Sequence, residues 1–317
     1  MDAPIVSVVI PLYNKAPHIA RALTSVLKQT FQDFEVIVVD DGSTDDGAEI
    51  VRRFEDPRIR LIQQENRGVS AARNRGIEEA RAELIAFLDA DDEWLPDFLS
   101  TIIRMYNKFP DGGAYATSYF TTYGHALLSP KIYKIPPSPW EGAIPNFFIS
   151  ASEGEIITSS SVVIPRDVFN YLGLFKSGEH YGEDTEMWGR IALEYDIVFS
   201  WYRGAIIHYE AINRAENKKG IIQKHPFVDT GMRYINNTSY PRKYSVTDIK
   251  EYMEIQQMKI ACRAFKSGDM KFGREILKRC DTTKHQIERV RLLIISFFPL
   301  CLYNILRNAK YKIKTWP

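Results

Sequence analysis

The first hundred residues alternate between two textures. Val6 to Pro11, "VSVVIP", is a short β-branched run of the kind that forms a buried strand. Pro17 to Gln29 then places apolar residues at Ile19, Ala22, Leu23, Val26 and Leu27, which is a helical period. Phe34 to Val39, Ile59 to Gln63 and Glu83 to Leu88 repeat the strand texture. Gly47 to Phe54 and Ser70 to Ala82 repeat the helical one. Short apolar strands separated by amphipathic helices predict an α/β fold, with a mostly parallel sheet covered by helices on both faces.

In such sheets ligands sit beyond the carboxyl ends of the strands. The polar clusters of this half fall there: "LYNK" after the first strand, "DDGSTDD" after the second, "ENRG" after the third and "DADDEW" after the fourth. Four clusters at four strand ends predict one site along one edge of the sheet.

Beyond Asp111 the pattern loosens, and the Pro-rich "KIPPSPWEGAIP" predicts a loop. Ile156 to Pro165 reads as a strand, and a helix is expected from about Glu183 in "GEDTEMWGRIALEY". Ile197 to Tyr202 and Ala205 to Tyr209 read as two further strands, and Asn213 to Tyr244 as mostly irregular. Ser245 to Phe265 predicts a helix with Ser245 and Asp248 spaced as an N-terminal cap. After "KSGD" a second helix over Met270 to Arg279 completes a hairpin. The organisation expected is a domain over 1–215, in halves 1–110 and 111–215, a linker over 216–244, the hairpin over 245–288 and a separate tail over 289–317. No internal repeat is visible.

Charge and cysteines narrow the class. A net charge of +1 over 317 residues gives no case for nucleic-acid binding. Cys262, Cys280 and Cys301 have no metal-ligand spacing, which suits a reducing, cytoplasmic setting. The N-terminus has no basic segment followed by an apolar run, so no signal peptide is expected. From Arg289 onward there are six Lys/Arg and no acid; removing that +6 from the total leaves the rest near −5.

The cluster Asp89-Ala90-Asp91-Asp92 crowds three carboxylates into four residues. Such crowding is tolerated on a solvated turn or is neutralised by something positive. Carboxylates at strand ends suit hard cations such as Mg2+ or Mn2+, which bridge a protein acid to a diphosphate. Asp40 and Asp41 can accept hydrogen bonds from a base N–H or a ribose hydroxyl, or they can build the turn and cap the next helix. Arg67, Arg73 and Arg75 can meet phosphate or these acids, with a structural salt bridge the favoured role for Arg73.

Together "VSVVIPLYNK", "VIVVDDGSTD", "ENRGVSAARNRGI", "AFLDADDEWLPD" and "GEDTEMWGR" resemble the family 2 glycosyltransferases of GT-A fold. The match runs from Ser7 to Asp97 and resumes over Gly182 to Arg190. The resemblance implies an inverting transferase that uses a nucleotide-diphosphate sugar, with UDP-sugars expected first, and a glycan or lipid-linked acceptor. It implies that Pro11, Tyr13, Asp40, Asp41, Arg67, Asp89 and Ala90 line the nucleotide-sugar site. Asp91 and, through a looser alignment, His208 would ligate Mn2+ or Mg2+. Asp184 matches the general base, and Glu183 and Trp188 would meet the acceptor, although Trp188 also reads as a core aromatic. No QxxRW element follows Asp184, which implies transfer of one sugar per binding event. A nucleotidyltransferase, or a nucleotide-sugar-binding protein without activity, are the alternatives.

Leu292 to Leu306, "LLIISFFPLCLYNIL", is the most apolar stretch. A helix of that length reaches about 22 Å at 1.5 Å per residue, short of a bilayer core of about 30 Å. Packing on the domain is one outcome. With basic flanks, the expected behaviour is peripheral attachment to the cytoplasmic face of a membrane.

Overall fold

The computed structural model describes residues 3–123, 126–179, 181–210, 224–237 and 243–298. The chain divides into two compact units, 1–217 and 218–317.

The N-terminal unit is built on one sheet. Strands β1 (Val6–Leu12), β2 (Phe34–Asp41), β3 (Ile59–Gln64) and β4 (Leu84–Phe87) pair in parallel, in the order 3-2-1-4. Helices α1 (Ala16–Leu27), α2 (Gly47–Arg52) and α3 (Val69–Glu79) connect them. All eight residues of β2 are buried, which explains why its sequence is a nearly continuous apolar run. Helix α3 lies so close to β1 that a Cβ on Gly76 would stand 2.2 Å from Val9 Cγ1. Only glycine permits that approach.

After β5 (Glu93–Trp94) and α4 (Phe98–Lys108) come β6 (Gly112–Tyr123), β7 (Ala126–Leu128), β8 (Glu141–Ala143) and α5 (Phe147–Glu153). They are followed by β9 (Val162–Pro165), α6 (Arg166–Leu172), α7 (Glu183–Glu194) and β10 (Asp196–Ile207). The sheet continues from β4 through β9, β6 and β10 to β5, with β9 antiparallel to both neighbours. The α/β fold class expected from the sequence is the one observed.

Three expectations are corrected here. The segment 111–152 holds β6, a twelve-residue strand inside the sheet. Its buried residues include Ala114, Ala116, Thr117 and Ser118, small or polar side chains that carry no apolar signature. Ile156 to Pro165 is strand only from Val162; Ser159–Ser161 form a single 3-10 turn capped by Thr158. The two late strands are one, β10, whose pairing with β6 is irregular between Ser200 and Ala205.

The second unit is helical: α8 (Phe227–Asn236), α9 (Val246–Lys266), α10 (Met270–Arg279) and α11 (Gln286–Ile295). Helix α8 occupies part of the stretch read as irregular, and α11 begins before the expected tail boundary at 289. The Ser245 side chain does accept from the Asp248 N–H, at 3.1 Å. Glu251 of α9 is buried and receives the Thr282 and Thr283 hydroxyls, each at 2.6 Å, which fixes the chain between α10 and α11. Residues 299–317, most of the basic tail, lie outside the described residues. No helix among the described residues is long and apolar enough to cross a membrane.

Candidate active site

The four polar clusters meet at one edge of the sheet, because parallel register brings the ends of β1 to β4 side by side. Side-chain hydrogen bonds then join them. Asn14, at φ 52°, accepts from the Thr44 N–H at 2.7 Å, while its own N–H donates to Ser43 Oγ at 3.0 Å. Asp41 accepts the Gln64 amide at 2.7 Å and the backbone N–H groups of Arg67 and Gly68 at 2.9 and 2.8 Å. Asp40 accepts from the Ser43 N–H and from the Gln63 amide, both at 3.0 Å. Asp40 and Asp41 are both buried. Their carboxylates shape the loops after β2 and β3. Tyr13 and Arg67 present exposed surface on the same edge, and Pro11 is half-buried.

Each acid after β4 has its own partner. Asp89 receives Arg73 Nη2 at 2.9 Å. Asp91 Oδ2 holds the Lys15 ammonium at 2.7 Å, and Arg21 donates to the Asp91 carbonyl. Asp92 accepts the Ser160 hydroxyl at 2.6 Å and the His208 N–H at 3.0 Å. Burial, then Asp89 and Asp91, push the Asp92 carboxyl up to about 7. Ala90 is buried between the acids. The crowding visible in the sequence is thus relieved by two cations, two hydrogen bonds and a raised proton affinity. Lys15, Arg21 and Ser160 escaped the sequence reading, since no spacing ties them to residues some seventy positions away.

His208 sits between two carboxylates, with Nε2 2.9 Å from Glu93 and Nδ1 2.9 Å from Glu210. The hydrogen bond to Glu93 leads in raising its pKa, against burial, with Glu210 assisting. In return it holds Glu93 low, while Glu210 is drawn down to about 2, against burial, by Thr122 and His208. Both ring nitrogens are committed, so this arrangement does not fit the expected metal-ligand role. Among the described residues no group of three or more His, Cys, Asp or Glu stands assembled as a ligand set.

The second acidic feature opens α7. Gly182 enters the helix at φ 80°, a conformation glycine adopts without strain. Glu183 is buried and accepts Arg73 Nη1 at 3.2 Å. Burial and then Asp184 raise its carboxyl to about 7, with Arg73 opposing. Burial also works against the Arg73 cation, but Asp89, Glu183 and Asp184 outweigh it and hold the guanidinium charged. Asp184 remains part-exposed and accepts its neighbour Thr185 N–H at 2.6 Å. Arg73 therefore serves as the structural salt bridge expected of it, and it joins the strand-end cluster to α7.

The helix is fixed from below as well. Glu186, fully buried, pairs with Arg190 at 2.9 Å and Lys176 at 3.0 Å, and Arg190 also donates to the carbonyls of Leu172 and Leu174. Asn74 exchanges two hydrogen bonds with the backbone of Phe175, at 2.8 and 2.9 Å. The Phe175 ring packs edge-on to Phe87 and Trp188, beneath the Arg73 guanidinium. Trp188 is 2% exposed. It belongs to the core and offers no face to a sugar ring, because the side of α7 one turn below Asp184 faces Phe175. Glu183 likewise points inward to Arg73 rather than toward an acceptor.

A strand-end edge of this build, with mixed pairing beyond β4, has the GT-A fold. The chain superposes on Staphylococcus aureus TarS residues 1–349, solved in complex with UDP-GlcNAc, with a TM-score of 0.67 at 18% identity, over 97% of this chain and 88% of that one. Residues 7–157 match the family model described as glycosyl transferase family 2. The uncharacterised glycosyltransferase YibD of Escherichia coli K12 is 44% identical over 101 residues, 31% of this chain and 29% of that protein. Glycosyltransferase GlyG of Streptococcus pneumoniae is 42% identical over 107 residues, 33% of this chain and 36% of that protein. The chain thus spans about a third of the length of curated relatives such as these.

Proposed function

We propose that the protein is an inverting glycosyltransferase that moves one sugar from a nucleotide-diphosphate sugar to a hydroxyl of a glycan or lipid-linked acceptor. The observation that carries this reading is the Arg73 bridge. One buried guanidinium spans Asp89 of the strand-end cluster and Glu183 of α7, which makes the donor edge and the Asp184 carboxylate parts of one site.

Exposed Tyr13 and Arg67 meet the nucleotide, on loops that Asp40 and Asp41 hold in shape. UDP is the favoured nucleotide, supported by the UDP-GlcNAc complex of TarS. Asp91 already binds a cation, the Lys15 ammonium, and it is a hard oxygen donor, so its chemistry fits Mn2+ or Mg2+. When bound there, such a cation supplies charge to offset the leaving diphosphate. Asp184, part-exposed in the first turn of α7, takes the acceptor hydroxyl proton as oxygen attacks the anomeric carbon. Glu183, buried and turned inward to Arg73, does not compete for that role. The absence of a QxxRW element supports release after one transfer.

The test is a panel of nucleotide sugars with Mn2+, scored by nucleoside diphosphate release. Release from a UDP-sugar is expected. Pyrophosphate release would indicate nucleotidyl transfer, and binding without any release would indicate a binding protein.

The basic C-terminal segment 289–317 is read as a peripheral anchor on the cytoplasmic face of a membrane. Support comes from α11 and the residues after it, where Ile287, Val290, Ile294 and Phe297 are exposed at helical spacing. Full-length protein is expected to float with anionic liposomes at low salt and to release at high salt. Equal flotation of a chain ending at Glu288 would refute the anchor.

A further inference from the structure

Charge is divided unevenly along the chain. Residues 218–317 carry 21 Lys/Arg against 8 Asp/Glu, a net +13, in a chain whose total is +1. A surplus of that size on one unit suits an anionic partner. Two of its cations are committed within the unit. Arg289 donates to the carbonyls of Leu277 and Cys280 at 3.3 and 3.0 Å, which closes the end of α10, and Arg291 stands 3.7 Å from Glu288. Both belong to the basic segment that begins at 289, so the free charge beside α11 has to come from another element.

Helix α10 supplies it. Lys271, Arg274 and Lys278 share one face of that helix by their spacing, while Glu275 and Arg279 lie further round it. Lys271 and Lys278 are exposed, and among the described residues no acid stands within ion-pair distance of either. Arg274 joins this row to the residues that end α11. Its Nη1 donates to the Ser296 carbonyl at 2.9 Å, and its guanidinium lies 4.8 Å from the centre of the Phe297 ring. Phe297 closes an apolar row, Ile287, Val290, Ile294 and Phe297, whose members are 87%, 42%, 57% and 70% exposed. Leu292 and Ile295, on the other side of α11, are buried. Arg289 meets the end of α10 and Ser296 meets its middle, so the two helices run antiparallel. The basic row and the apolar row therefore lie side by side, with Arg274 in the seam.

We propose that α10 and α11 form one composite surface for an anionic lipid bilayer. Lys271 and Lys278 engage lipid phosphates, the apolar row of α11 enters the headgroup boundary, and Arg274 holds the two rows in register. This rests on the reading of the C-terminal segment as a membrane anchor and extends it to a helix outside that segment. The physical argument is the pairing of the rows. Exposed lysines alone suit any polyanion, and exposed apolar side chains alone suit any apolar partner. Set side by side they match the two layers of a bilayer surface, charged headgroups above and acyl chains below. Lysine suits the upper layer, because its stem lies along apolar surface while its ammonium stays at the phosphates.

The experiment titrates full-length protein with vesicles of phosphatidylcholine and phosphatidylglycerol in equal parts, read by co-sedimentation. Lys271→Gln combined with Lys278→Gln should weaken binding by about 25-fold, roughly 5-fold for each cation near an anionic leaflet. Both side chains are exposed, so the melting temperature should not change. Ile294→Ser should weaken binding by about 10-fold. Lys28→Gln combined with Arg53→Gln removes two exposed cations from the first unit and should leave binding as in wild type. Wild-type binding that survives intact in the α10 double variant overturns the composite surface and leaves the tail anchor standing. Equal losses in the α10 variant and the first-unit control would assign the effect to net charge and overturn the surface as well. Unchanged binding in Ile294→Ser overturns the entry of α11. Wild type that ignores the vesicles overturns the surface and the anchor together. If that protein is instead retained by soluble polyphosphate, and the α10 variant is not, the basic row serves a polyanionic chain in place of a bilayer.

Discussion

Two acidic clusters open the site, and they are neutralised differently. In the strand-end cluster every carboxylate has a partner from elsewhere in the fold: Arg73 for Asp89, Lys15 for Asp91, Ser160 and the His208 N–H for Asp92, and the His208 ring for Glu93. On α7, Glu183 shares the Arg73 guanidinium with Asp89, and Asp184, which acts on Arg73 through its charge, accepts the N–H of its neighbour Thr185. A fully partnered cluster is stable. A carboxylate left part-exposed at a helix N-terminus is ready to accept a proton as it stands. The first build suits a ligand site and the second a base.

The largest effect should come from removing the residue both clusters share. Arg73→Met would leave Glu183 without its cation in a buried setting and Asp89 without it at a part-exposed one, and breaking a buried pair such as Arg73–Glu183 costs about 3–5 kcal/mol. Denaturant unfolding should show that loss, offset in part by protonation of Glu183 at low pH. A change under about 1 kcal/mol would mean that the bridge is not what holds α7 against the strand-end loop.

A smaller effect separates the two clusters by pH. The Glu183 carboxyl is raised from 4.5 to about 7, so between those values the folded protein holds a proton that the unfolded chain has lost. Its contribution is complete below about 4.5 and disappears as pH rises through about 7, on the order of 3 kcal/mol. Asp92, also near 7, slopes the same way. Glu183→Gln should therefore flatten the fall in stability between pH 5 and 8 by roughly half, leaving the part due to Asp92. An unchanged slope would assign the whole effect to the strand-end cluster.

The same two clusters mark what the sequence could disclose. The parallel half was legible because β1, β2 and β4 are buried and largely apolar, and all four parallel strands end in polar loops. The edge those loops form follows from register alone. Asp89, Asp91 and Asp184 stood out as acids at element ends. Arg73 was legible as a salt-bridge partner for acids, but Lys15 and Ser160 were not, because they come from distant stretches and become neighbours of the cluster only through the fold. Trp188 was ambiguous for a related reason: helical spacing puts it one turn from Asp184 but cannot tell a cleft from a core, and Phe175 decides that. Strand β6 was hidden because its buried tyrosines, Tyr115 and Tyr119, are interspersed with buried Gly, Ala, Thr and Ser, which break the apolar pattern although they lie inside the sheet.

The measurement that tests the account most directly is donor binding and turnover, side by side, in wild type and Asp184→Asn. Asn fills nearly the same space at the start of α7 and leaves the Arg73 bridge untouched, but it cannot take a proton. The account predicts unchanged UDP-sugar affinity and a turnover lower by about 10² or more, the usual worth of general-base catalysis. Turnover within a few-fold of wild type would contradict it and move the base away from α7.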